Sequence, residues 1–188
     1  MIKKRDFYFI RHGQTDYNRR DIEVNIELID STDIALNAHG EGQAHTIADK
    51  IAELPIKTVC CSPLKRAVQT KEIITKKLSC VDHHAVDALK ECKIAIWNKM
   101  RAFQKGSTLS EELNAFRQQT LLGLEMALSK EGPVLIVAHG GIHWMMCHLM
   151  NIDSHEWIID NCVPVHFTYS QGKWHAHKLF QHQKSVVA

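Results

Sequence analysis

The sequence predicts an α/β protein, a three-layer α/β/α sandwich with a mostly parallel sheet. Short apolar runs at residues 6–10, 56–61 and 134–138 read as buried strands. Each runs into a turn, and a helical pattern follows each turn before the next strand. Strands that alternate with helices call for parallel pairing with both faces of the sheet covered.

The elements follow in chain order. Strand 6–10 is followed by a polar, turn-rich stretch to Ala35, and Asn37 is the predicted N-cap of a helix. In that helix Ala44, Ile47, Ala48, Ile51 and Ala52 mark one apolar face, and Pro55 ends it. Strand 56–61 runs into Ser62-Pro63, a preferred N-cap and first-turn pair, predicting a helix to about Leu78. Residues 84–86 are a short strand. Residues 91–106 carry no clear period, and the segment at about 91–109 is expected to be a mobile cover over a site. Ser110 caps a long helix to about Ser129, although Leu113 stands where a capping box would place an acid. Gly132-Pro133 punctuates the chain before strand 134–138, and His139-Gly140-Gly141 turns that strand into helix 142–150. Residues 163–169 and 174–178, joined across Gln171-Gly172, are a predicted hairpin, and 181–188 are expected to fray.

Composition narrows the function classes. A chain of 188 residues fits one domain, 1–188, and 45% hydrophobic with 23% charged residues is enough to build a core. A net charge of +2 lacks the basic field that nucleic-acid backbones require. No window nears the ~18 apolar residues of a membrane span, and the apolar run before Arg11 is too short for an export signal. A cytoplasmic protein without nucleic-acid or membrane partners is expected. The six cysteines form no C-x-x-C pair and are expected to stay reduced.

Ligands of such sheets bind beyond the carboxyl ends of the strands, and there the chemistry-bearing residues gather. The first strand delivers Arg11 and His12, the second Ser62 with Arg66 one turn on, and the third His139 with Gly140 and Gly141. Two guanidiniums on one point favour a phosphate or carboxylate, since the planar forks match its oxygens and stay charged. The helix start at Ser62-Pro63 adds free N–H groups to the same anion. A cation beside His12 favours the neutral ring, leaving one nitrogen with a lone pair near pH 7, available to attack phosphorus. Gly13 lets the backbone turn so that a carbonyl holds the other ring N–H.

Other residues have plainer readings. His143 and Cys147, four apart on a helix, suggest a metal pair but read more simply as core, as do Trp144, Met145 and Met146; His83-His84 and His175-x-His177 get the same discount. Lys99, Arg101 and Lys105 read either as contacts to a second anionic group or as a solvated basic face.

The ordered motifs resemble the histidine phosphatase superfamily, also called phosphoglycerate mutase-like, and cover most of the chain. They are Arg11-His12-Gly13 with Gln14, Thr15 and Asn18; Leu36-Asn37-x-x-Gly40-x-x-Gln43-Ala44; Ser62-Pro63-x-x-Arg66-Ala67-x-Gln69-Thr70; Leu89-x-Glu91 with Trp97; and Ala138-His139-Gly140-Gly141. The resemblance implies a phosphoglycerate mutase-like fold and a metal-independent phosphohistidine mechanism with no cofactor. His12 would be phosphorylated, Arg11, Arg66 and His139 would hold the phosphoryl oxygens, and Gln14, Asn18, Ser62 and Gly140 would line the substrate pocket. Glu91 would be the general acid and then base, with Asp87 in reserve. Ala95 and Lys99 stand where the family usually has glycines, and the stretch with Arg19, Arg20 and Glu23 is longer than usual. The expected activity is hydrolysis of a small phosphorylated metabolite. Alternatives are mutase-type phosphoryl transfer, which Glu91-Cys92-Lys93-Ile94 does not resemble, and a non-catalytic phospholigand-binding protein.

Overall fold

The structure is a computed structural model that describes residues 2–18, 33–104, 106–152 and 159–179. Its strands are β1 (Phe7–Arg11), β2 (Thr58–Cys61), β3 (Asp82–Ala85), β4 (Val134–Ala138), β5 (Pro164–Ser170) and β6 (Lys173–Lys178). Its helices are α1 (Ala38–Ala52), α2 (Lys65–Ile74), α3 (Ile94–Ala102), α4 (Glu111–Leu128) and α5 (Gly140–Leu149). The sheet runs β3-β2-β4-β1-β5-β6. β3, β2, β4 and β1 are parallel, while β5 and β6 add an antiparallel hairpin beside β1.

Strand alternation sends side chains to two cores. Phe7, Phe9, Cys60, Val134, Ile136 and Phe167 face one side, where they meet Met100 of α3, Phe116 and Leu124 of α4 and Met145 of α5. Tyr8, Ile10, Val59, Leu135 and Val137 face the other, against Ala44, Ile47 and Ile51 of α1 and Ala67 and Ile74 of α2. These two helical layers complete the sandwich. Each buried Ile or Leu contributes about 1.5–3 kcal/mol by leaving water, so the apolar periods dictate which helix faces turn inward.

Caps set several helix starts. The Asn37 side chain accepts from Gly40 N–H at 2.9 Å, and Ser110 accepts from Leu113 N–H at 3.4 Å. The hairpin turns at Gln171 and Gly172, both at positive φ (50° and 78°), the backbone of a tight two-residue turn.

Four expectations are corrected. Ser62-Pro63 is not the cap of α2: the N-cap is Leu64 without a side-chain bond, and the Asp33 carboxylate accepts Lys65 N–H from a distant segment at 2.8 Å. α2 also stops at Ile74, with Thr75 as its C-cap, and β3 begins at Asp82, two residues before the predicted strand. The aperiodic stretch contains a helix, α3, whose Met100 is buried and whose Ile96, Trp97 and Phe103 pack on the same core. Lys99 pairs with Glu112 of α4 at 2.5 Å, tying α3 to the body of the protein. Arg19, Arg20, Glu23, Lys105 and residues 181–188 lie outside the described residues. None of the described helices is long and apolar enough to cross a membrane.

Candidate active site

The register of the central strands builds the site. Arg11 of β1 pairs with Ala138 of β4, and Cys61 of β2 pairs with Val137. The three strands therefore end together, and His12, Ser62 and His139 emerge side by side. The ladder continues past the ends: His12 N–H donates to Ala138 O at 2.9 Å and Ser62 N–H to Val137 O at 3.0 Å. Arg66 reaches the same point from the first turn of α2.

His12 is 4% exposed. Its Nδ1 lies 2.7 Å from the Gly13 carbonyl oxygen, which can only accept, so Nδ1 carries the proton. Its Nε2 then holds a lone pair, which accepts from Arg66 Nε–H at 3.2 Å. Burial first, then Arg11 and Arg66, push this imidazole well below the usual histidine range, overcoming the opposing effect of the Gly13 bond. The ring is neutral at pH 7, with its basic nitrogen beside a guanidinium.

His139 is tilted 61° to it, edge towards face, ring centroids 5.1 Å apart, and is fully buried. Its Nε2 is 2.8 Å from Ser62 Oγ, while Nδ1 has no hydrogen-bond partner among the described residues. Burial and then Arg66 hold this ring neutral too. Ser62, expected to line the substrate pocket, is fully buried and bonded to His139.

Arg11 is anchored by Nη1 donating to Ile159 O at 2.8 Å. The Trp97 ring lies against Gly140, where a Cβ would come within 3.3 Å of the indole and 3.4 Å of Arg11 Nε. Glu91 sits at the start of α5: Gly141 N–H donates to Oε2 and Cys92 N–H to Oε1, each at 3.0 Å. Burial raises its carboxyl above the ordinary range, against the lowering pull of those bonds, Arg66 and Arg11. Asp87, the reserve acid, is 82% exposed and paired with Lys90, so Glu91 is the carboxyl that joins the cluster.

Gln14 and Asn18 serve the loop itself. Asn37 Nδ2 donates to Gln14 Oε1 at 3.1 Å, and Asn18 Oδ1 accepts from Thr15 N–H at 2.8 Å. Gly13 and Gly40 meet backbone to backbone: a Cβ on Gly13 would lie 2.5 Å from Gly40 O, and one on Gly40 2.1 Å from Gln14 O. His143 and Cys147 are core residues, 3.9 Å apart, with His143 packed on Phe9 and Phe167. Sequence reasoning missed Ile159 and Asn161, whose Nδ2 donates to His12 O at 2.7 Å; one acts through a main-chain carbonyl and the other is a lone turn residue.

A mostly parallel sheet at whose strand ends two guanidiniums gather around two neutral imidazoles defines the class: an α/β protein with a cationic cluster at the carboxyl edge of its sheet. The chain belongs to the histidine phosphatase superfamily, branch 1, whose family model matches residues 7–182. It is 30% identical over 191 residues to agropine synthesis reductase of Rhizobium rhizogenes, covering 97% of this chain and 43% of that protein. The chain thus spans under half the length of that relative. Its fold is similar to phosphoserine phosphatase of Entamoeba histolytica, solved with 3-phosphoglyceric acid (TM-score 0.67, 20% identity, 95% of this chain and 98% of that one). It is also similar to alpha-ribazole phosphatase of Shigella flexneri (TM-score 0.65, 18% identity, 93% and 95%). At these identities the likeness is one of fold.

Proposed function

We propose that the protein hydrolyses phosphate monoesters of small metabolites through a phosphohistidine at His12, with no metal. One observation carries this reading: a buried neutral imidazole whose lone-pair nitrogen faces Arg66, 3.2 Å away. An anion entering the cradle draws the guanidinium to its own oxygens and frees Nε2 to attack.

In the first step the Nε2 lone pair forms a bond to phosphorus and the bond to the ester oxygen breaks. Glu91, whose burial favours the protonated carboxyl, gives a proton to the departing alcohol. Arg11, Arg66 and His139 hold the three outer oxygens as charge shifts across them. In the second step water attacks phosphorus and passes a proton to the Glu91 carboxylate. The P–N bond breaks, its electron pair returns to Nε2, and phosphate leaves. The phosphatase names of the fold relatives support hydrolysis over transfer to a second alcohol. The six free thiols suit a reducing, cytoplasmic location.

The test is turnover of p-nitrophenyl phosphate and a panel of phosphorylated metabolites, with chelator present, by wild type and His12→Ala. Wild-type turnover that is lost in the variant is expected. Radiolabelled substrate should leave a label that survives alkali and is released by acid. Phosphate binding without turnover would make the protein a phospholigand binder, and acid-stable label would place the nucleophile elsewhere.

A further inference from the structure

Two consecutive peptide units follow the His12 side chain, and side chains from three other parts of the fold grip them. The first unit joins His12 to Gly13. Its carbonyl accepts from Asn161 Nδ2 at 2.7 Å, and its N–H donates to Thr70 Oγ1 at 2.9 Å. The second joins Gly13 to Gln14. Its N–H donates to Gln43 Oε1 at 2.9 Å, and its carbonyl is the oxygen that holds the Nδ1 proton of His12.

A peptide unit is planar, so fixing its N–H fixes the direction of its C=O. Gln43 therefore aims the carbonyl that selects the tautomer of the ring. A backbone N–H can only donate, which settles that the Gln43 amide presents its oxygen. The reach of Gln43 has a clear origin: it lies three residues after Gly40 in α1, hence on the same helix face, and Gly40 has no side chain to keep that face off the loop. Thr70 Oγ1 also donates to Arg66 O at 2.7 Å, so it locks the loop to the helix turn that carries the guanidinium.

We infer that Gln43 is a positioning residue that, with Thr70 and Asn161, holds His12 in its Nδ1–H tautomer and keeps the Nε2 lone pair on the cradle. This rests on the proposed role of His12 as nucleophile, but its primary readout does not. The test compares the ring ¹⁵N NMR signals of His12, and turnover, in wild type, Gln43→Leu and Gln43→Glu. Wild type should show one tautomer with the proton on Nδ1. Gln43→Leu should show a mixture of tautomers with kcat lower by ~10- to 100-fold and KM little changed, less than the ~10⁴-fold of a wrong-tautomer triad variant because the Gly13 carbonyl remains. Gln43→Glu, which keeps an acceptor oxygen, should restore both. Thr70→Val, nearly isosteric at a fully buried position, is a second arm with the same expectations, reversed in Thr70→Ser.

A single Nδ1–H tautomer in both Gln43→Leu and Thr70→Val, with kcat within ~2-fold of wild type, would overturn the inference. A tautomer shift in a protein without turnover would uphold the positioning role while sinking the phosphatase reading.

Discussion

Replacing Gly141 by alanine tests the proposed general acid, Glu91, without substituting it. Gly141 is the second residue of α5, and an added Cβ would stand 2.3 Å from Glu91 Oε1. That oxygen ends a flexible side chain, so the carboxyl yields rather than the helix. Reaching ordinary contact at 3.4 Å takes a retreat of about 1 Å, a misplacement that costs on the order of 10²-fold in rate. The loss falls at the low end of the ~10²- to 10⁴-fold that general acids supply. The fold should suffer little, because alanine in a helix is up to ~1 kcal/mol better than glycine, which offsets the tight contacts of the new methyl with Cys92 Sγ and Glu91 Cδ, each at 3.1 Å.

The assay is kcat/KM for a simple alkyl phosphate and for p-nitrophenyl phosphate, with thermal unfolding alongside. This parameter reports the first chemical step, in which an alkoxide needs a proton and a nitrophenolate hardly does. Gly141→Ala should lose ~10²-fold on the alkyl ester, far less on the aryl ester, and keep its melting temperature. Equal losses on both esters, or an undiminished alkyl rate, would refute the assignment of the proton donor to Glu91.

The buried imidazoles make two further predictions about pH. Since His12 and His139 are held well below 6.5, kcat/KM should stay level as pH falls through that value, and a midpoint near 6.5 would count against the nucleophile. Unfolded histidines take up protons below 6.5 while these folded ones do not, so stability must fall with pH in that window, by ~1.4 kcal/mol per unit for each ring. Glu91, raised by burial, acts in the opposite direction above pH 4.5. Urea unfolding of wild type against His12→Gln should show the smaller slope in the variant; identical slopes would contradict a neutral buried His12. Lys99→Ala should leave KM unchanged because that ammonium is engaged by Glu112, and a tenfold rise, ~1.4 kcal/mol, would instead make it a substrate contact.

The three strand–turn–helix units were legible because their apolar periods and turn residues agree. Arg11, His12, Arg66 and His139 were legible because each directly follows a strand or opens a helix, where topology alone brings them together. α3 was hidden although Ile96, Trp97, Met100 and Phe103 keep a helical period: Ile94, Ala95 and Ala102 place apolar atoms on its other side and blur the pattern. Ser62-Pro63 looked like a local cap, but the hydroxyl is committed to His139 and the capping oxygen comes from Asp33, thirty-two residues away. The anchor of Arg11 is a main-chain carbonyl, which no residue type encodes.

The seam between Gly13 and Gly40 limits how this protein can diversify. At Gly141 a side chain can swing aside, whereas here each new methyl would strike main chain that two helices and a strand hold in place, so neither position tolerates change alone. Attempts to retarget the proposed activity should leave this joint untouched and vary the outward residues of α3, where Ala95 and Asn98 are exposed.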